Sequence, residues 1–501
     1  MSLAAPILAR LQAAGVTPSG ITADSRRVGS GEVFAAWPGF RTDGRRYLAS
    51  AVERGAAAVL WESGDGFDAA ELPIPSLPVE RLRDLAGHLA HEIYGRPSER
   101  LWLAGVTGTN GKTTVSQMLA GAMQDLGVRC GIVGTLGNGF PGELESSLNT
   151  TPDALDLHRL LAGFAAAGAG AAAMEVSSIG LDQGRVNGAC FDVAIFTNLS
   201  RDHLDYHGSM DAYGEAKARL FSLPGVERCV INIDDPYGLM LARRLVAQGR
   251  DVIACTLYHA NANADAVPGA RVLLGDRPQA SPTGLRFALQ WDRRVVEIQV
   301  RMVAPFNVSN LLAVAGALLA RGVPFDELPP VLVRMTPPEG RMQLVGGVCE
   351  PLIVIDYAHT PDALAQVLES LRTTVHSRRG RLSCVFGCGG DRDPGKRPLM
   401  GEVAARLADR VIVTSDNPRT EDPLKILETV AAGAGPQAER IVDRAQAIRI
   451  AIAEAAADDV VVIAGKGHEP YQEVMGQRLP FSDLEQANLA LRAWHAGGAK
   501  R

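Results

Sequence analysis

The stretch Gly105-Val106-Thr107-Gly108-Thr109-Asn110-Gly111-Lys112-Thr113-Thr114 decides how this chain is interpreted. It follows a short apolar run and precedes apolar residues at helical spacing, so we expect a turn between a strand and a helix. The main-chain N–H groups of such a glycine-rich turn face phosphate oxygens, Lys112 adds a positive charge, and Thr113 offers a hydroxyl to Mg²⁺. The stretch therefore predicts a site for a nucleoside triphosphate.

The spacing of the outer glycines departs from the usual phosphate-binding pattern. That pattern has about four residues between its two glycines, whereas five separate Gly105 from Gly111. A plain turn between a strand and a helix is the alternative. The residues from Gly108 to Thr113 keep the expected order, however, and Lys112 lies where phosphate chemistry requires a cation. A nucleotide site remains the favoured interpretation.

The composition limits the class of protein. A length of 501 residues predicts about three domains, and 47% hydrophobic and 21% charged residues are typical of a soluble globular chain. A net charge of −6 argues against non-specific binding to nucleic acid. No apolar run is long enough to span a membrane, and residues 4–14 lack the apolar core of a signal peptide. The seven scattered cysteines predict free core thiols in a reducing cytoplasm rather than disulfides or a zinc site.

Short apolar runs alternate with helical patterns, which predicts an α/β fold of three domains. We expect a smaller N-terminal α/β domain over 1–98, a central doubly wound, mostly parallel sheet over 99–336, and a C-terminal Rossmann-like α/β domain over 337–501. Apolar residues recur at every second position over 285–303, and this pattern predicts antiparallel strands. The other strand candidates are 101–106, 172–176, 193–198, 230–233, 352–357, 382–387, 410–414 and 460–465.

Polar residues follow several of these strands, where ligands bind in open α/β sheets. Glu175 ends one strand and is a candidate Mg²⁺ ligand, and His203 in a later polar loop could bind a metal beside it. A solvated carboxylate and a surface histidine are the alternatives. Composition alone gives no reason to choose Lys217, which has the character of an ordinary exposed lysine.

Eight segments together resemble the Mur ligase family, and they follow one another over essentially the whole chain. The segments are 107–114, 174–178, 197–208, 213–217, 306–310, 340–342, 356–362 and 387–393. The resemblance implies an ATP-dependent amide ligase of peptidoglycan precursor synthesis. The chain is most similar to the type that adds the third residue of the stem peptide to UDP-N-acetylmuramoyl-L-alanyl-D-glutamate. In this family a gap of five residues between the glycines is normal.

The resemblance also implies a mechanism, with ATP and Mg²⁺ as cofactors. ATP phosphorylates a substrate carboxylate, an amine attacks the acyl phosphate, and a site divided between domains implies closure. The implied catalytic residues are Lys112, Glu175, His203 and Lys217, the last as a carbamylated lysine. The implied metal ligands are Thr113, Glu175, His203 and Lys217. The implied nucleotide contacts are Gly108, Thr109, Asn110, Gly111, Lys112, Thr113, Thr114, Asn307, Asn310, Arg341, Asp356, Tyr357 and His359.

The substrates are implied by further matches to the family. Segments 24–26, with Ser25, and 40–42 match contacts to the uridine nucleotide. Contacts to the muramoyl peptide match Thr150, Thr151, Ser177, Gln183 and Arg185. The segment Asp416-Asn417-Pro418-Arg419 is similar to the signature of enzymes that accept meso-diaminopimelate. Arg392, Gly465 and Glu469 match other contacts to that amino acid.

The chemistry of Arg419 fits this choice of amino acid. A guanidinium can bind the distal carboxylate of diaminopimelate through two hydrogen bonds. Lysine lacks that carboxylate and would leave the guanidinium unpaired, which discriminates more strongly than a missing methylene does.

Several other functions stay open at this point. The same ligation could use L-lysine or another diamino acid, or the chain could be a ligase of the MurF or folylpolyglutamate type. An ATP-hydrolysing switch or motor protein and an inactive binding homologue are further alternatives. We expect a cytoplasmic monomer with no nucleic-acid partner and no membrane span.

Overall fold

The structure is a computed structural model that describes residues 3–39, 42–69, 71–261, 266–281 and 284–498. The chain divides into two compact units. The first comprises residues 1–256, 260–273 and 312–325, and the second comprises residues 257–259, 274–311 and 326–501. Each unit has an apolar core of its own. The domain limits 1–98, 99–336 and 337–501 divide the chain more finely and stay a prediction.

The N-terminal part of the first unit is a small parallel sheet with helices. In chain order its elements are α1 (Ala5–Ala13), β1 (Gly20–Thr22), β2 (Glu32–Ala36), α2 (Leu48–Glu53), β3 (Ala58–Ser63), β4 (Ser76–Glu80) and α3 (Leu82–Ile93). All neighbouring strands pair in parallel, in the order β1-β2-β3-β4. Most side chains of β2 and the first four of β3 are buried, as expected for parallel strands that are covered on both faces. A 3₁₀ turn, Pro97–Arg100, leads into the rest of the unit.

The larger part of the first unit is a doubly wound sheet. Its elements are β5 (Trp102–Thr107), α4 (Lys112–Asp125), β6 (Cys130–Gly134), β7 (Gly137–Phe140), β8 (Glu143–Glu145), α5 (Ala154–Ala166), β9 (Ala171–Glu175), α6 (Ser178–Asp182), β10 (Val193–Phe196), α7 (Leu204–His207), α8 (Met210–Ala218), β11 (Arg228–Asn232), α9 (Pro236–Ala247) and β12 (Asp251–Thr256). The strand order is β12-β11-β10-β5-β9-β6-β7-β8. The first six of these strands run parallel, and β7 and β8 continue the sheet as an antiparallel ribbon.

The second unit contains a six-stranded sheet and two further antiparallel strand pairs. After β13 (Arg271–Ser281), which begins in the first unit, come β14 (Gly284–Trp291), β15 (Arg294–Val300), α10 (Phe306–Arg321, whose residues from 312 on belong to the first unit), α11 (Leu328–Arg334), β16 (Gln343–Gly346), β17 (Leu352–Asp356), α12 (Pro361–Arg378), β18 (Leu382–Phe386), α13 (Lys396–Leu407), β19 (Arg410–Val413), α14 (Pro423–Ala434), β20 (Glu439–Arg440), α15 (Arg444–Ala453), β21 (Val460–Ala464), β22 (Tyr471–Val474), β23 (Gln477–Pro480) and α16 (Asp483–Gly498). The sheet order is β16-β17-β21-β18-β19-β20, with only β16 antiparallel to its neighbour.

The predicted α/β fold class is confirmed. Each of the strands predicted by its limits lies on an observed strand, with ends that differ by at most two residues. The period-two pattern over 285–303 corresponds to β14 and β15, which pair antiparallel. Beyond the N-terminal part, where no strand limits were predicted, the prediction missed β6 to β8, β12, β13, β16, β20 and the β22–β23 hairpin. Within the described residues, no helix combines the length and the apolar character needed to cross a bilayer.

The prediction that all seven cysteines are core thiols is only partly right. Five are buried, whereas Cys190 is half-buried and Cys349 is exposed, and all seven are free thiols.

Candidate functional site

The glycine loop (residues 105–114) joins β5 to the first turn of α4. Gly108 has φ +147°, and a Cβ on it would lie 1.9 Å from the hydroxyl oxygen of Thr197, so only glycine fits there. Thr197 itself bonds the Asn110 carbonyl at 2.6 Å. The neighbouring strand end therefore holds the loop closely, with the N–H groups of the α4 N-terminus placed to receive an anion.

The rest of the loop is tied to the segment after β10. The Thr109 N–H donates to the Asn198 carbonyl at 2.8 Å, and the Asn110 N–H donates to the Asn198 side chain at 2.9 Å. Asn198 therefore braces the loop. Thr114, which follows the loop lysine and Thr113, is buried on α4.

The side-chain nitrogens of two lysines converge on one carbonyl of this loop. Lys112 Nζ donates to Gly108 O at 3.0 Å and to Thr109 O at 2.8 Å. Lys217 Nζ, from α8, donates to the same Gly108 oxygen at 2.7 Å and lies 4.2 Å from the ring centre of Tyr213. The positive charge of Lys112 suits a site for phosphate oxygens.

Lys217 is 1% exposed, so its expected character as an ordinary surface lysine is wrong. The face of α8 that carries it packs on the glycine loop. Burial, and then the positive charge of Lys112, lowers the pKa of Lys217 to about 6. The side chain is therefore mostly a neutral amine at neutral pH.

Glu175, at the end of β9, is buried beside the loop. Its carboxylate accepts a hydrogen bond from the Thr113 hydroxyl at 2.9 Å. It also accepts from the Thr135 N–H at 2.7 Å and from the Thr135 hydroxyl at 3.1 Å. The sequence did not identify Thr135, because it follows β6, which was not predicted. The alternative of a solvated carboxylate does not hold.

A chain of hydroxyl groups continues from Glu175. Thr150 and Thr135 hydroxyls lie 3.0 Å apart. The Thr151 hydroxyl lies 2.9 Å from Glu175 O and 3.1 Å from Ser177 Oγ, and it accepts from the Ser177 N–H at 3.0 Å. Three of the predicted peptide contacts thus form one network with the predicted metal ligand.

Arg185 and Gln183 extend the same network. Arg185 donates to the Thr151 carbonyl at 2.8 Å and to Gln183 Oε1 at 2.7 and 3.0 Å. The Gln183 amide lies 3.4 Å from the Tyr206 hydroxyl, which donates to Asp182 at 2.9 Å. The structure therefore brings Thr113, Glu175 and all five predicted muramoyl-peptide residues into one connected group.

His203 is placed differently from the expectation. It has a left-handed φ of +51°, and 47% of its side chain is exposed. Its ring contacts Asp202 at 3.5 Å and the edge of Tyr213, with a centroid separation of 6.1 Å. The contacts described for this ring do not include Glu175, so the two predicted metal ligands are not paired.

Ser25 is buried in the turn after β1. Beside it Asp24 accepts hydrogen bonds from Arg26 at 2.8 and 2.9 Å. Phe40 and Arg41 of the predicted segment 40–42 lie outside the described residues, and Thr42 is exposed.

The predicted nucleotide contacts of the second unit form two groups. Asn307 donates to the Val303 carbonyl at 2.7 Å, and the Asn310 amide donates to Asn307 Oδ1 at 3.3 Å. Asp356, at the end of β17, accepts from two main-chain N–H groups at 2.8 Å, and burial raises the pKa of its carboxyl.

The other members of the second group lie beside Asp356. Arg341 lies 4.9 Å over the ring of Tyr357, and its buried Nε has no hydrogen-bond partner among the described residues. His359 Nδ1 lies 2.9 Å from the Tyr357 carbonyl.

The segment 416–419 follows β19 and meets the loop after β21. Asn417 donates to Glu469 Oε2 at 2.7 Å and accepts from Lys466 Nζ at 3.0 Å. Lys466 is fully buried and pairs with Glu469 at 2.9 Å. A Cβ on Gly465, with φ +115°, would lie 2.6 Å from Asp416 Oδ2, which accounts for glycine there. Lys466 was not identified from the sequence.

Arg419 has φ +51° and a side chain that is 23% exposed. Its Nη1 donates to the Gly390 carbonyl at 2.7 Å, and its Nε lies 3.5 Å from a carboxylate oxygen of Glu473. The Pro418 carbonyl packs closely on Gly390. Arg392 is exposed and packs near Gly389. The guanidinium of Arg419 therefore lies beside the loop after β18.

A buried ion pair fixes the ends of two strands beneath this group. Arg444 and Asp483 are both 0% exposed and make two hydrogen bonds at 2.7 Å. Arg444 also donates to the carbonyls of Ser415 and Ala464 at 3.3 and 3.0 Å. These carbonyls immediately precede Asp416 and Gly465. No local sequence pattern indicates this pair.

Fold and site together define the class of protein. A glycine loop that ends at a helix N-terminus, beside a lysine and a threonine–carboxylate pair, is the phosphate-binding arrangement of a P-loop α/β protein. Comparison with known proteins narrows this class. Residues 17–94 match the "Mur ligase family, catalytic domain", residues 106–318 the "Mur ligase middle domain", and residues 340–467 the "Mur ligase, glutamate ligase domain".

Full-length relatives agree with these matches. A protein of Ectopseudomonas mendocina (strain ymp), named UDP-N-acetylmuramoyl-L-alanyl-D-glutamate–2,6-diaminopimelate ligase, is 52% identical over 97% of both chains. A solved structure of a ligase with the same name is 37% identical over 95% of both chains, with a TM-score of 0.71. The MurF ligase of Thermotoga maritima in complex with ADP has the same fold, with 18% identity, a TM-score of 0.62, and coverage of 95% of this chain and 98% of that one. The chain belongs to the Mur ligase family.

Proposed function

We propose that this protein is an ATP-dependent amide ligase that joins meso-diaminopimelate to UDP-N-acetylmuramoyl-L-alanyl-D-glutamate in peptidoglycan precursor synthesis. The observation that carries the proposal is the pairing of Thr113 with Glu175 beside a loop carbonyl that two lysines share. Names of relatives that match along the whole chain support the two substrates. The reaction takes place in the cytoplasm, and we expect the enzyme to act as a monomer.

The glycine loop is the proposed site of the ATP phosphates. The N–H groups of residues 108–114 would bind phosphate oxygens, and Lys112 would turn from the loop carbonyls toward the β- and γ-phosphates. In the second unit, the amide groups of Asn307 and Asn310 have the chemistry to recognise adenine. Arg341, Asp356 and His359 are the other proposed contacts to the nucleotide.

The residues beside the loop fit Mg²⁺. Thr113 and Glu175 supply a hydroxyl and a carboxylate, the hard oxygen ligands that this ion prefers. Bound there, Mg²⁺ would neutralise charge on the phosphate oxygens. His203 joins this set only if its loop changes conformation, because its described contacts do not include Glu175.

Lys217 is proposed to act as a carbamate. Its neutral amine can attack CO₂, forming an N–C bond and releasing one proton, and the product is an anion with two oxygen atoms. A buried amine with a lowered pKa is in the reactive form. The modification replaces a neutral amine beside Lys112 with an anionic group able to bind a cation.

The proposed ligation balances in two steps. The substrate carboxylate attacks the γ-phosphorus of ATP, which gives an acyl phosphate and ADP. The amine of diaminopimelate then attacks the acyl carbon, loses a proton, and expels inorganic phosphate. Lys112 and the loop N–H groups would stabilise the charge that develops on the transferred phosphoryl group.

The network around Glu175 is the proposed site of the muramoyl peptide. Thr150, Thr151 and Ser177 offer hydroxyl groups, and Gln183 with Arg185 offers amide and guanidinium donors. The uridine nucleotide is assigned to the first sheet, where Ser25 follows β1.

The loop cluster of the second unit is the proposed site of diaminopimelate. Within the described residues, the hydrogen bond of Arg419 to Gly390 leaves other guanidinium N–H groups for the distal carboxylate. Glu469 can pair with an ammonium group of the substrate. Arg392, Asp416, Asn417, Pro418 and Gly465 complete the proposed contacts.

A product assay tests the proposed function. The full-length protein is incubated with ATP, Mg²⁺, the UDP-muramoyl dipeptide and one amino acid at a time, with meso-diaminopimelate and L-lysine first. Phosphate release is measured, and the product is identified by mass spectrometry. We expect one amide product and one phosphate per turnover, with diaminopimelate preferred. Phosphate release without an amide would support a nucleotide-driven switch, and preference for lysine would reject the proposed role of Arg419.

A further inference from the structure

Three side chains that the proposed ligation does not use meet away from the glycine loop, within the first unit. His91 lies on α3, Glu99 in the 3₁₀ turn Pro97–Arg100, and Cys190 in the connection between α6 and β10. One nitrogen, oxygen or sulfur atom from each lies within 4.8 Å of the other two. In the part of the chain that the structure describes, no other group of His, Cys, Asp and Glu has this geometry.

We propose that His91, Glu99 and Cys190 bind a zinc-like divalent cation. Imidazole, carboxylate and thiolate are all ligands of Zn²⁺, whereas Mg²⁺ and Ca²⁺ prefer oxygen alone. Two negative ligands and one neutral imidazole balance the charge of a divalent ion. The site takes three protein ligands and leaves a fourth position for water.

The three candidate ligand atoms need to move only slightly closer together to bind one metal ion. His91 Nε2 already lies 3.2 Å from Glu99 Oε1. Ligand atoms around a tetrahedral zinc ion are about 3.3–3.8 Å apart, from bond lengths of about 2.0–2.3 Å. The side chain of Glu99 is 46% exposed and can move by the ångström or so that the widest separation demands. The proposed site can therefore close by side-chain movement.

The main chain and the neighbouring rings hold the three segments together. The Cys190 N–H donates to Ser98 Oγ at 3.0 Å, and the Arg96 N–H donates to the His91 carbonyl at 2.7 Å. The His91 ring packs edge-on against His158, with centroids 5.2 Å apart. His91 Nε2 donates its proton toward the Glu99 carboxylate, so binding a metal through Nε2 would place the ring proton on the buried Nδ1, which has no hydrogen-bond partner in the described structure. Arg96, 3.9 Å from Glu99, is the competing cation.

The position of the site gives the bound ion a structural role. Its ligands come from the last helix of the N-terminal part, from the segment after that helix, and from the strand connection of the larger sheet. A cation bound to all three would clamp the N-terminal part to the larger sheet of the first unit. Metal occupancy should therefore raise thermal stability without being needed for phosphoryl transfer.

Metal titration of the full-length protein tests the proposal. After chelator treatment and dialysis, Zn²⁺ binding is measured by calorimetry, and Co²⁺ is used as a spectroscopic substitute that reports sulfur ligation. We expect one thiolate-to-cobalt charge-transfer band, unaffected by excess Mg²⁺. Cys190→Ser should remove the band and weaken Zn²⁺ binding by about 100-fold or more. Even the loss of a residue that only hydrogen-bonds a metal ligand lowers metal affinity by about 10–100-fold. Cys349→Ser, which changes an exposed thiol, is the matched control and should behave as the wild type.

A second variant keeps the test independent of folding. Glu99→Gln alters an exposed side chain, so it should preserve the fold and still weaken Zn²⁺ binding at least tenfold. The proposal is overturned if the wild type gives no charge-transfer band, if Cys190→Ser retains it, or if Glu99→Gln binds Zn²⁺ as tightly as the wild type. The metal measurements do not depend on ligase activity, so the proposed function can fail while this proposal holds.

Discussion

Lys217 offers the sharpest test of the proposed chemistry. Burial and the adjacent positive charge of Lys112 lower its pKa from 10.5 to about 6. At pH 7 about nine-tenths of Lys217 is then neutral, against about 0.03% of an ordinary lysine, because each unit of pKa changes the ratio tenfold. The reactive amine is therefore about 3,000-fold more abundant at this position than on an exposed lysine. We predict that Lys217 forms a carbamate at neutral pH.

Carbon-13-labelled bicarbonate and NMR measure this directly. The wild type should show one protected carbamate signal, which Lys217→Met should abolish. Lys425→Met, which changes an exposed lysine, is the control and should keep the signal. Because the folded-state pKa is depressed, the amine becomes neutral as the pH rises through about 6, and the signal should increase over that range. Ligase activity in CO₂-depleted buffer should fall and recover on addition of bicarbonate.

Two results would refute this account. Carbamate that increases only near pH 10 would show that Lys217 keeps its ordinary pKa. Equal labelling of Lys217 and exposed lysines would show that burial confers no reactivity.

If a carbamate is the missing group in Lys217→Ala, short carboxylic acids should restore part of the activity, because they supply the lost carboxylate. A complete lack of rescue would count against that role.

Three further substitutions test the two ends of the proposed site. Lys112→Ala should lower ligation by about 100-fold or more, as expected for loss of a preorganised positive charge, with the thermal melt little changed; retained turnover would reject its phosphate role. Arg419→Ala should lower kcat/KM for diaminopimelate by about 10–150-fold, corresponding to about 1.5–3 kcal/mol for a hydrogen bond to a charged group; an equal loss with lysine would contradict the selectivity argument. Arg444→Met should lower the free energy of unfolding by about 3–5 kcal/mol because Asp483 is left as a buried unpaired charge. The double variant Arg444→Met/Asp483→Leu should recover most of that loss in urea denaturation, and a single-variant loss below about 1 kcal/mol would argue that the pair does not fix the strand ends.

The fold was largely predictable because its parallel strands are short and continuously apolar. β21, for example, is buried at all five residues and was located from its side chains alone. The missed strands show the limit of this signal. β7 and β8 contain glycine and acidic residues, and their pairing depends on the antiparallel ribbon that they form with β6. Strands of this kind are specified by their partners more than by a pattern along the chain.

The site was predictable where its residues lie in one short segment. The glycine loop and the segment 416–419 each follow a strand that was predicted. Thr135 and Arg444 were missed because their importance depends on contacts distant in sequence: Thr135 donates to Glu175, and Arg444 binds the carbonyls beneath the 416–419 segment. The environment of Lys217 could not be predicted for the same reason, since its pKa is lowered first by burial against the glycine loop and then by the charge of Lys112, and both lie far from it in sequence.

Two buried lysines show why the residue type alone does not decide the chemistry. Lys466 is fully buried, yet it pairs with the Glu469 carboxylate and bonds the Asn417 side chain, so its positive charge organises a loop. Lys217 is equally buried, but it shares a carbonyl with another cation and has no carboxylate among its described hydrogen-bond partners. Burial therefore favours the neutral amine at Lys217, whereas Lys466 has the Glu469 carboxylate as its direct partner. The two lysines differ in whether a carboxylate lies within hydrogen-bond distance of the side-chain nitrogen. Only the folded structure shows this difference, which distinguishes a lysine that holds a loop in place from one that can react.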